Sequence, residues 1–450
     1  MLRLLIGKLK KYSTECKLEL EETSFLLSFS GGIDSTIMAS LLLEMRNVLK
    51  IKLGFAHFNH HAHNKSGQLE NFCIKYSHDN DVVLHPHELF FDSQRNFEAC
   101  AREKRYTILN KIAVKYAYDF ILTAHHQDDQ LETVYMKKLD GADWISQIGI
   151  REKMGKLRRP FLDISKDEIK VYAKHNNITW FEDPTNSNIS IRRNKIRHVQ
   201  LPLALQKDAR LKESLLITVQ KNVLKLKDTE QKLKKEQARI IKYHSKNNIH
   251  INRKEIQRYN LEELKLFTYN SVALLLKIKL TKQSGGLWRE FKSFINKSKT
   301  GSIFRIDSLT FIINRDEVDA INGYDNLKIL EKSRLSNNLP WYSGKFQISN
   351  HNKLDLSYSK NIFIVPHAIY QDGLFIRTWE HGDRIISSTS KKHVSLSDLY
   401  INNKLSKYKK LIQPVIVDNN DRIFWIPGLL HGHINYNKND KVKVINWMQR

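Results

Sequence analysis

Short apolar runs alternate with longer stretches in which apolar residues recur every three or four positions through the first half of the 450-residue chain. The first run, Phe25-Leu26-Leu27-Ser28-Phe29, leads into Ser30-Gly31-Gly32, after which Ile37, Met38, Leu41, Leu42 and Met45 fall at helical spacing. That pattern predicts a buried strand, a tight loop and a helix. Further strands are predicted at 51–58, 81–84 and 120–124, with helices at about 66–79, 97–116 and 128–138. Repeated alternation of this kind implies an α/β fold, a doubly wound parallel sheet covered by helices. Ligands in such sheets bind beyond the carboxyl ends of the strands, which directs attention to Ser30, His57, Leu89, His125 and the residues just after them.

The period changes beyond residue 203. Leu215, Val219, Val223, Leu226 and Leu233 keep helical spacing within a highly charged stretch, which predicts a long amphipathic helix leading into a second, mainly helical domain. Polar and turn-forming residues thicken at 331–340, and beyond them short β runs appear, such as Leu374-Phe375-Ile376-Arg377 and Arg422-Ile423-Phe424-Trp425-Ile426 before Pro427-Gly428. The expected organisation is three domains, 1–205, 206–335 and a small α+β domain at 336–450.

Charge adds a partner to this outline. With 74 Lys and Arg against 48 Asp and Glu, the formal net charge is +26, far beyond what solubility requires and suited to a polyanion such as nucleic acid. Part of the excess also fits a chain rich in Lys, Asn and Ile. Cys16, Cys73 and Cys100 are too scattered for a disulfide framework or a Cys-x-x-Cys site, so a reducing, cytoplasmic setting is expected. The first ten residues do not read as a signal peptide, and no stretch approaches the roughly 18 apolar residues that span a bilayer, so no membrane role is expected.

Four segments carry candidate chemistry. In Ser30-Gly31-Gly32-Ile33-Asp34-Ser35 the glycines let the main chain approach an anion, the amides from Ile33 to Ser35 open a helix toward it, and both serines add donors. Asp34 beside a phosphate site makes sense where it holds a metal ion or orients a cation. A strand-to-helix turn needing only glycine would not call for two serines and an aspartate. After the fourth strand, His125-His126-Gln127-Asp128-Asp129-Gln130-Leu131-Glu132 sets three acids at a helix start, with Asp129 and Glu132 on one face. Capping explains one of the acids and leaves the others. Arg102 and Arg105 share one side of another helix, and Arg192, Arg193, Lys195 and Arg197 form a basic cluster suited to phosphates.

Together these segments resemble the tRNA(Ile)-lysidine synthetase family, within the ATP-pyrophosphatase loop superfamily that includes GMP, NAD and asparagine synthetases. The resemblance rests on the loop from Ser30 to Ser35, on His57-Phe58-Asn59-His60, on the stretch from Asn96 to Tyr106, on that from His125 to Thr133, and on Asp183-Pro184-Thr185-Asn186 leading to the stretch that ends at Arg197. A looser match runs through Gly382-Asp383-Arg384 and Trp425-Ile426-Pro427-Gly428. The resemblance implies ATP and Mg2+ as cofactors, L-lysine and CAU-anticodon tRNA(Ile) as substrates, and a carbon–nitrogen ligation through an adenylated wobble cytidine. It further implies nucleotide binding by Ser30, Gly31, Gly32, Ile33, Asp34, Ser35 and His57, metal binding by Asp34, and a lysine site from Arg105, Asp129 and Glu132. The basic cluster would contact tRNA, and a homodimer is open by analogy. His61-Ala62-His63 stands where the family often has Gly-Leu-Arg, and Asn188 where an aspartate is common. The alternatives are a thiolation or amidotransferase enzyme of the same superfamily, which would call for a cysteine cluster or a glutaminase, and a basic RNA-binding protein with a vestigial loop. Intact Ser30, Asp34 and Ser35 disfavour the last.

Overall fold

Ser24–Ser28 (β1) can only lie at the middle of a sheet, because its side chains are buried toward both faces. Its partners are Lys52–Asn59 (β2) on one side and, beyond Val83–Glu88 (β3) in sequence, Phe120–Leu122 (β4) on the other. Lys153–Met154 (β5) and Leu157–Arg158 (β6) complete the order β3-β2-β1-β4-β6-β5, in which only β5 runs antiparallel to its neighbour. The computed structural model describes residues 1–60, 66–89, 97–182, 188–281, 283–326, 331–342, 344–351, 359–435 and 441–449. His61, Ala62, His63, Asn96 and the Asp183-Pro184-Thr185-Asn186 motif lie outside them.

Alternation along β1 divides the core in two. Phe25 and Leu27 pack with Leu5, Leu9 and Tyr12 of Leu2–Glu15 (α1), with Ile37, Leu41 and Met45 of Ile33–Leu49 (α2), and with Cys73 of Ser66–Asp79 (α3). Leu26 turns the other way, joining Ile121 of β4 and Leu109, Ile112 and Ala113 of Phe97–Lys115 (α4). Each such fully buried side chain contributes about 1.5–3 kcal/mol relative to exposure, so the doubly wound arrangement follows from a strand with no polar face. Gln127–Leu139 (α5) and Lys166–His175 (α6) follow β4 and β6. The third strand begins two residues later than the apolar run implies, and it continues through His85, His87 and Glu88. As an edge strand it buries only part of its surface, so polar residues fit where a central strand would exclude them.

The order of strands matters for function. The chain steps outward from β1 to β2 to β3 and then returns to the other side of β1 as β4. The loops after β1 and β4 therefore leave in opposite senses and open a crevice between them, the place where such sheets bind ligands.

The chain divides into two compact units, Met1–Asp228 and Thr229–Arg450. Leu211–Ile240 is one helix of 30 residues that buries Leu215, Leu226, Leu233 and Ile240, close to the predicted amphipathic span. The second unit contains helices at Arg253–Gln257, Leu261–Phe267 and Gly285–Lys297, and also a five-stranded sheet built from Ile241–His244, Asn248–Asn252, Ile303–Ile306, Leu309–Ile313 and Glu317–Asn322. The helical reading of 206–335 does not include that sheet. Its strands are four to six residues long, too short to show a period of two among the lysines and asparagines around them. Beyond them lie a five-stranded sheet, which contains both Phe375–Thr378 and Ile423–Ile426, close to the predicted β runs, and a four-stranded sheet. Trp425, Phe346, Phe363 and Trp447 share one core there.

Gly54, opposite Leu26 in β2, has no room for a side chain: a Cβ would lie 2.0 Å from the hydroxyl oxygen of Tyr118. Gly54→Ala is expected to destabilise the first unit by about 1–3 kcal/mol through overpacking. In Gly67→Ala, where the added methyl meets nothing within 4 Å, stability should be unchanged or slightly raised. Scanning calorimetry of the two variants against the parent chain checks the contrast.

Candidate active site

The turn after β1 is held open by its own side chains. Gly31 has φ +75°, and a Cβ there would lie 2.8 Å from Leu69 Cδ1, so both conformation and space require glycine. Gly32 sits at φ −73° as the residue preceding the first turn of α2. Its role is that of a cap without a side chain, which leaves the amides of that turn uncovered. The Ser30 amide donates to Ser35 Oγ at 3.2 Å, the two serine oxygens lie 3.0 Å apart, and Ser35 Oγ donates to the Gly32 carbonyl at 3.0 Å. Helix amides, dipole and two hydroxyls converge on one spot, an anion cradle.

Across the crevice, α5 begins at the end of β4 with His126 as its cap, and the His126 amide donates to Asp129 Oδ2 at 3.0 Å. His126 Nε2 lies 3.5 Å from Asp129 Oδ2 and 3.7 Å from Asp34 Oδ1, so one buried imidazole touches both halves of the site. A second link comes from the start of α6, where the Lys166 amide donates to Asp128 Oδ2 at 2.7 Å and its ammonium to Asp34 Oδ1 at 2.5 Å.

Asp129 and Glu132 are almost fully buried, and two arginines from Arg192–Lys195 (α7) and the π-helical Ile196–Gln200 that continues it compensate them. Arg193 donates to Asp129 Oδ1 at 3.1 Å and to Glu132 Oε2 at 3.2 Å. Arg197 donates to Asp129 Oδ1 at 3.1 Å, Glu132 Oε1 at 2.5 Å and Glu132 Oε2 at 3.0 Å. Burial by itself raises the pKa of Asp129, but His126 and Arg193 outweigh it and hold the carboxyl down at about 2. Burial likewise opposes the charge on Arg197, and its hydrogen bonds to Glu132 reverse the sign and raise its pKa. His125, bonded to Thr123 Oγ1 at 2.9 Å, is pushed down to about 3 by burial, with nearby Arg159, Arg193 and Arg105 acting in the same direction.

The expected residues therefore divide. Ser30, Asp34, Ser35, Asp129 and Glu132 lie around one crevice, and Arg105 reaches it closely enough to act on His125. The Arg105 guanidinium has a buried Nε with no hydrogen-bond partner among the described residues, and burial lowers its pKa. His57 Nδ1 bonds the Phe29 carbonyl at 3.0 Å. That bond makes Nδ1 the donor and leaves Nε2 a buried acceptor without a partner among the described residues. Of the basic cluster, Arg193 and Arg197 face inward onto the acids, Arg192 pairs with Asp140, and Lys195 is exposed. Two contributors escaped the sequence reading. Lys166 follows Ser165 of a Ser-x-x-Glu capping box, which marks a helix start but gives no hint of its partner 132 residues earlier. Arg159, 4% exposed, bonds the Tyr106 hydroxyl at 3.1 Å and the Arg151 carbonyl.

Residues 5–204, which span this sheet and crevice, match the PP-loop domain family. Over 409 residues the chain is 27% identical to a tRNA(Ile)-lysidine synthase from Thermotoga maritima, covering 90% of this chain and 91% of the relative. Along most of its length this chain is similar to tRNA(Ile)-lysidine synthases, and residues 5–204 form a PP-loop domain. Other lysidine synthases, from Buchnera aphidicola and Treponema denticola, are 35% and 34% identical over 195 and 201 residues, covering 42% and 43% of this chain and 43% and 44% of those relatives. With a PP-loop domain, and with similarity to a lysidine synthase over 90% of its length, the chain is an ATP-dependent enzyme.

The charge balance of the crevice makes two expectations. Arg197→Met leaves two buried carboxylates short of a partner and should cost about 2–3 kcal/mol, moderated by the partial exposure of Arg197 itself. The Asp129 pKa is depressed in the folded chain, so its contribution to stability is present above the unfolded value of about 3.9 and is lost as pH falls through about 2. Asp129→Asn should accordingly lose stability less steeply over that acid interval, as urea unfolding at stepped pH would record.

Proposed function

We propose that the chain ligates L-lysine to the wobble cytidine of a CAU-anticodon isoleucine tRNA, with ATP cleaved to AMP and pyrophosphate, so that the resulting lysidine reads AUA instead of AUG. The observation that supports this best is the crevice itself. An anion cradle after β1 and an acid-rich, arginine-bearing cluster after β4 are joined through His126 and Lys166, in a chain that aligns over 90% of its length with a lysidine synthase.

In this reading the phosphates of ATP rest on the amides of α2 and on Ser30 and Ser35. A cytosine carbonyl is a poor electrophile. Attack of its 2-oxygen on the α-phosphorus expels pyrophosphate and turns that oxygen into a leaving group. The lysine side-chain amine then adds to the ring carbon, and AMP departs with the electron pair as the new nitrogen loses a proton. The chain supplies position and charge for both steps. Asp34, a half-buried carboxylate beside the cradle, fits Mg2+, which needs few protein oxygens when phosphates complete its shell and which would offset phosphate charge. His57 presents its bare Nε2 to the nucleotide.

The Arg105 guanidinium, whose Nε has no partner among the described residues, suits the lysine carboxylate. Asp129 and Glu132 suit its α-ammonium, and because Arg193 and Arg197 already occupy these oxygens, lysine enters by exchange with an arginine. A displaced guanidinium finds a new anion in the RNA backbone, so lysine and tRNA assist each other's binding. The net charge of +26 and the exposed Lys391, Lys392, Lys404, Lys407 and Lys409 of the last domain suit contacts with tRNA phosphates. Among the described residues no helix is long and apolar enough to cross a membrane. We place the enzyme in the cytoplasm, where charged polynucleotide, ATP and free lysine meet.

Incubation with CAU isoleucine tRNA, labelled lysine, ATP and magnesium should move label into the tRNA. Label that stays out of the tRNA while a sulfur or ammonia donor reacts would overturn the reading. Asp34→Ala should abolish AMP release while leaving tRNA affinity within about twofold. Arg105→Ala should raise KM for lysine at least about tenfold, the scale of one lost charged hydrogen bond, without changing KM for ATP.

A further inference from the structure

Lys166 has no part in the family motifs, yet it is anchored at the centre of the crevice. It is the first residue of α6, behind Ser165, whose side chain accepts from the Glu168 amide while Glu168 accepts from the Ser165 amide. Its own amide is fixed to Asp128 Oδ2, which holds the Cα against the acid cluster. From that point the four-carbon arm reaches Asp34 Oδ1 at 2.5 Å, with both side chains about a quarter exposed. Asp34 stands in the first turn of α2, beside the uncovered amides of the cradle. The ammonium is therefore already next to the place where phosphates would sit, on a hinge that allows the arm to swing while its base stays put.

We propose that Lys166 is a further substrate-binding residue of this reaction, whose ammonium leaves Asp34 when ATP arrives and takes up the phosphates that depart as pyrophosphate. A polyphosphate carries several negative charges against one on Asp34, so it outcompetes the carboxylate for a mobile ammonium. The released carboxylate is then free for a cation of its own. When the bond between the α-phosphorus and the bridging oxygen breaks, the electron pair stays on pyrophosphate, and an ammonium there offsets the charge as it develops. The rival reading is a strap, a Lys–Asp pair that merely ties α6 to α2.

The inference rests on the nucleotide-site part of the proposed function and on neither lysine nor tRNA, so it is tested with inorganic pyrophosphate alone, without magnesium, by calorimetric titration of the full chain. Lys166→Met should weaken pyrophosphate binding at least tenfold, and Lys166→Arg should restore most of it. The decisive comparison is made in an Asp34→Asn background, where there is no carboxylate left to neutralise or strap. A loss of similar size on adding Lys166→Met to Asp34→Asn supports direct contact with phosphate. A loss that is absent from the single variant, or that vanishes in that background, overturns it. Either result stands whether or not lysine is later found to enter tRNA.

Discussion

Two carboxylates buried side by side, Asp129 and Glu132, govern how the crevice is assembled. Removing even one such charge from water costs several kcal/mol unless neighbours replace the solvent. The replacement comes from Arg193 and Arg197, more than sixty residues later in the chain. Four residues apart, the two arginines lie on one helical face, and the π-helical turn that begins at Ile196 carries Arg197 onto the same acids as Arg193. Ile196 beside them packs with Leu131 and Val134 of α5, so the ionic contact is held by an apolar one. The segment from 192 to 200 is therefore pinned to α5 by charge and by packing together.

Topology supplies the second requirement. A nucleotide loop and an acid cluster make a common site only if their strands are neighbours, and β1 and β4 pair directly, with Leu26 opposite Ile121. The apolar content of β1 on both faces forces it to the centre, and the crossover to β4 opens the crevice at its carboxyl end. Packing thus fixes where the polar groups meet, while the polar groups determine what can bind there.

The ion pairs of the crevice join cations of the chain to anions of the chain: Lys166 to Asp34, Arg193 and Arg197 to Asp129 and Glu132. These pairs hold their shape without ligands, because each buried carboxylate has its own cation. In the proposed function, ligands of mixed charge enter by exchange, phosphates taking the cations and ammonium groups the anions. On that proposal the cost of opening each internal pair is offset by the new one, which would couple binding of one substrate to the arrival of another. Arg105 and His57 differ, since each keeps a polar edge with no partner of its own among the described residues.

Much of this was readable along the chain. Local periodicity reports burial, so β1, β2, α2, α3, α4 and α5 were legible within a few residues of their observed limits, and the glycine-rich turn announced an anion site through side chains adjacent in sequence. Edge strand β3 was legible in place but not in extent, and the short strands between residues 241 and 322 were not legible, because partial burial and lengths of four to six residues leave no clear period. The acids after β4 were legible as a cluster, but their partners were not. Arg193 and Arg197 read as a basic face suited to RNA, and only the fold shows them turned inward. Lys166 gave no signal beyond its capping box, and Arg159 gave none. The reason is physical: hydrophobic pattern and turn chemistry are set by neighbours within a few residues, whereas the partner of a charged side chain is chosen by whichever distant segment the core brings within reach. The sequence by itself determined that the chain has a nucleotide loop on a parallel sheet. Tertiary structure alone decided which charges pair across that site.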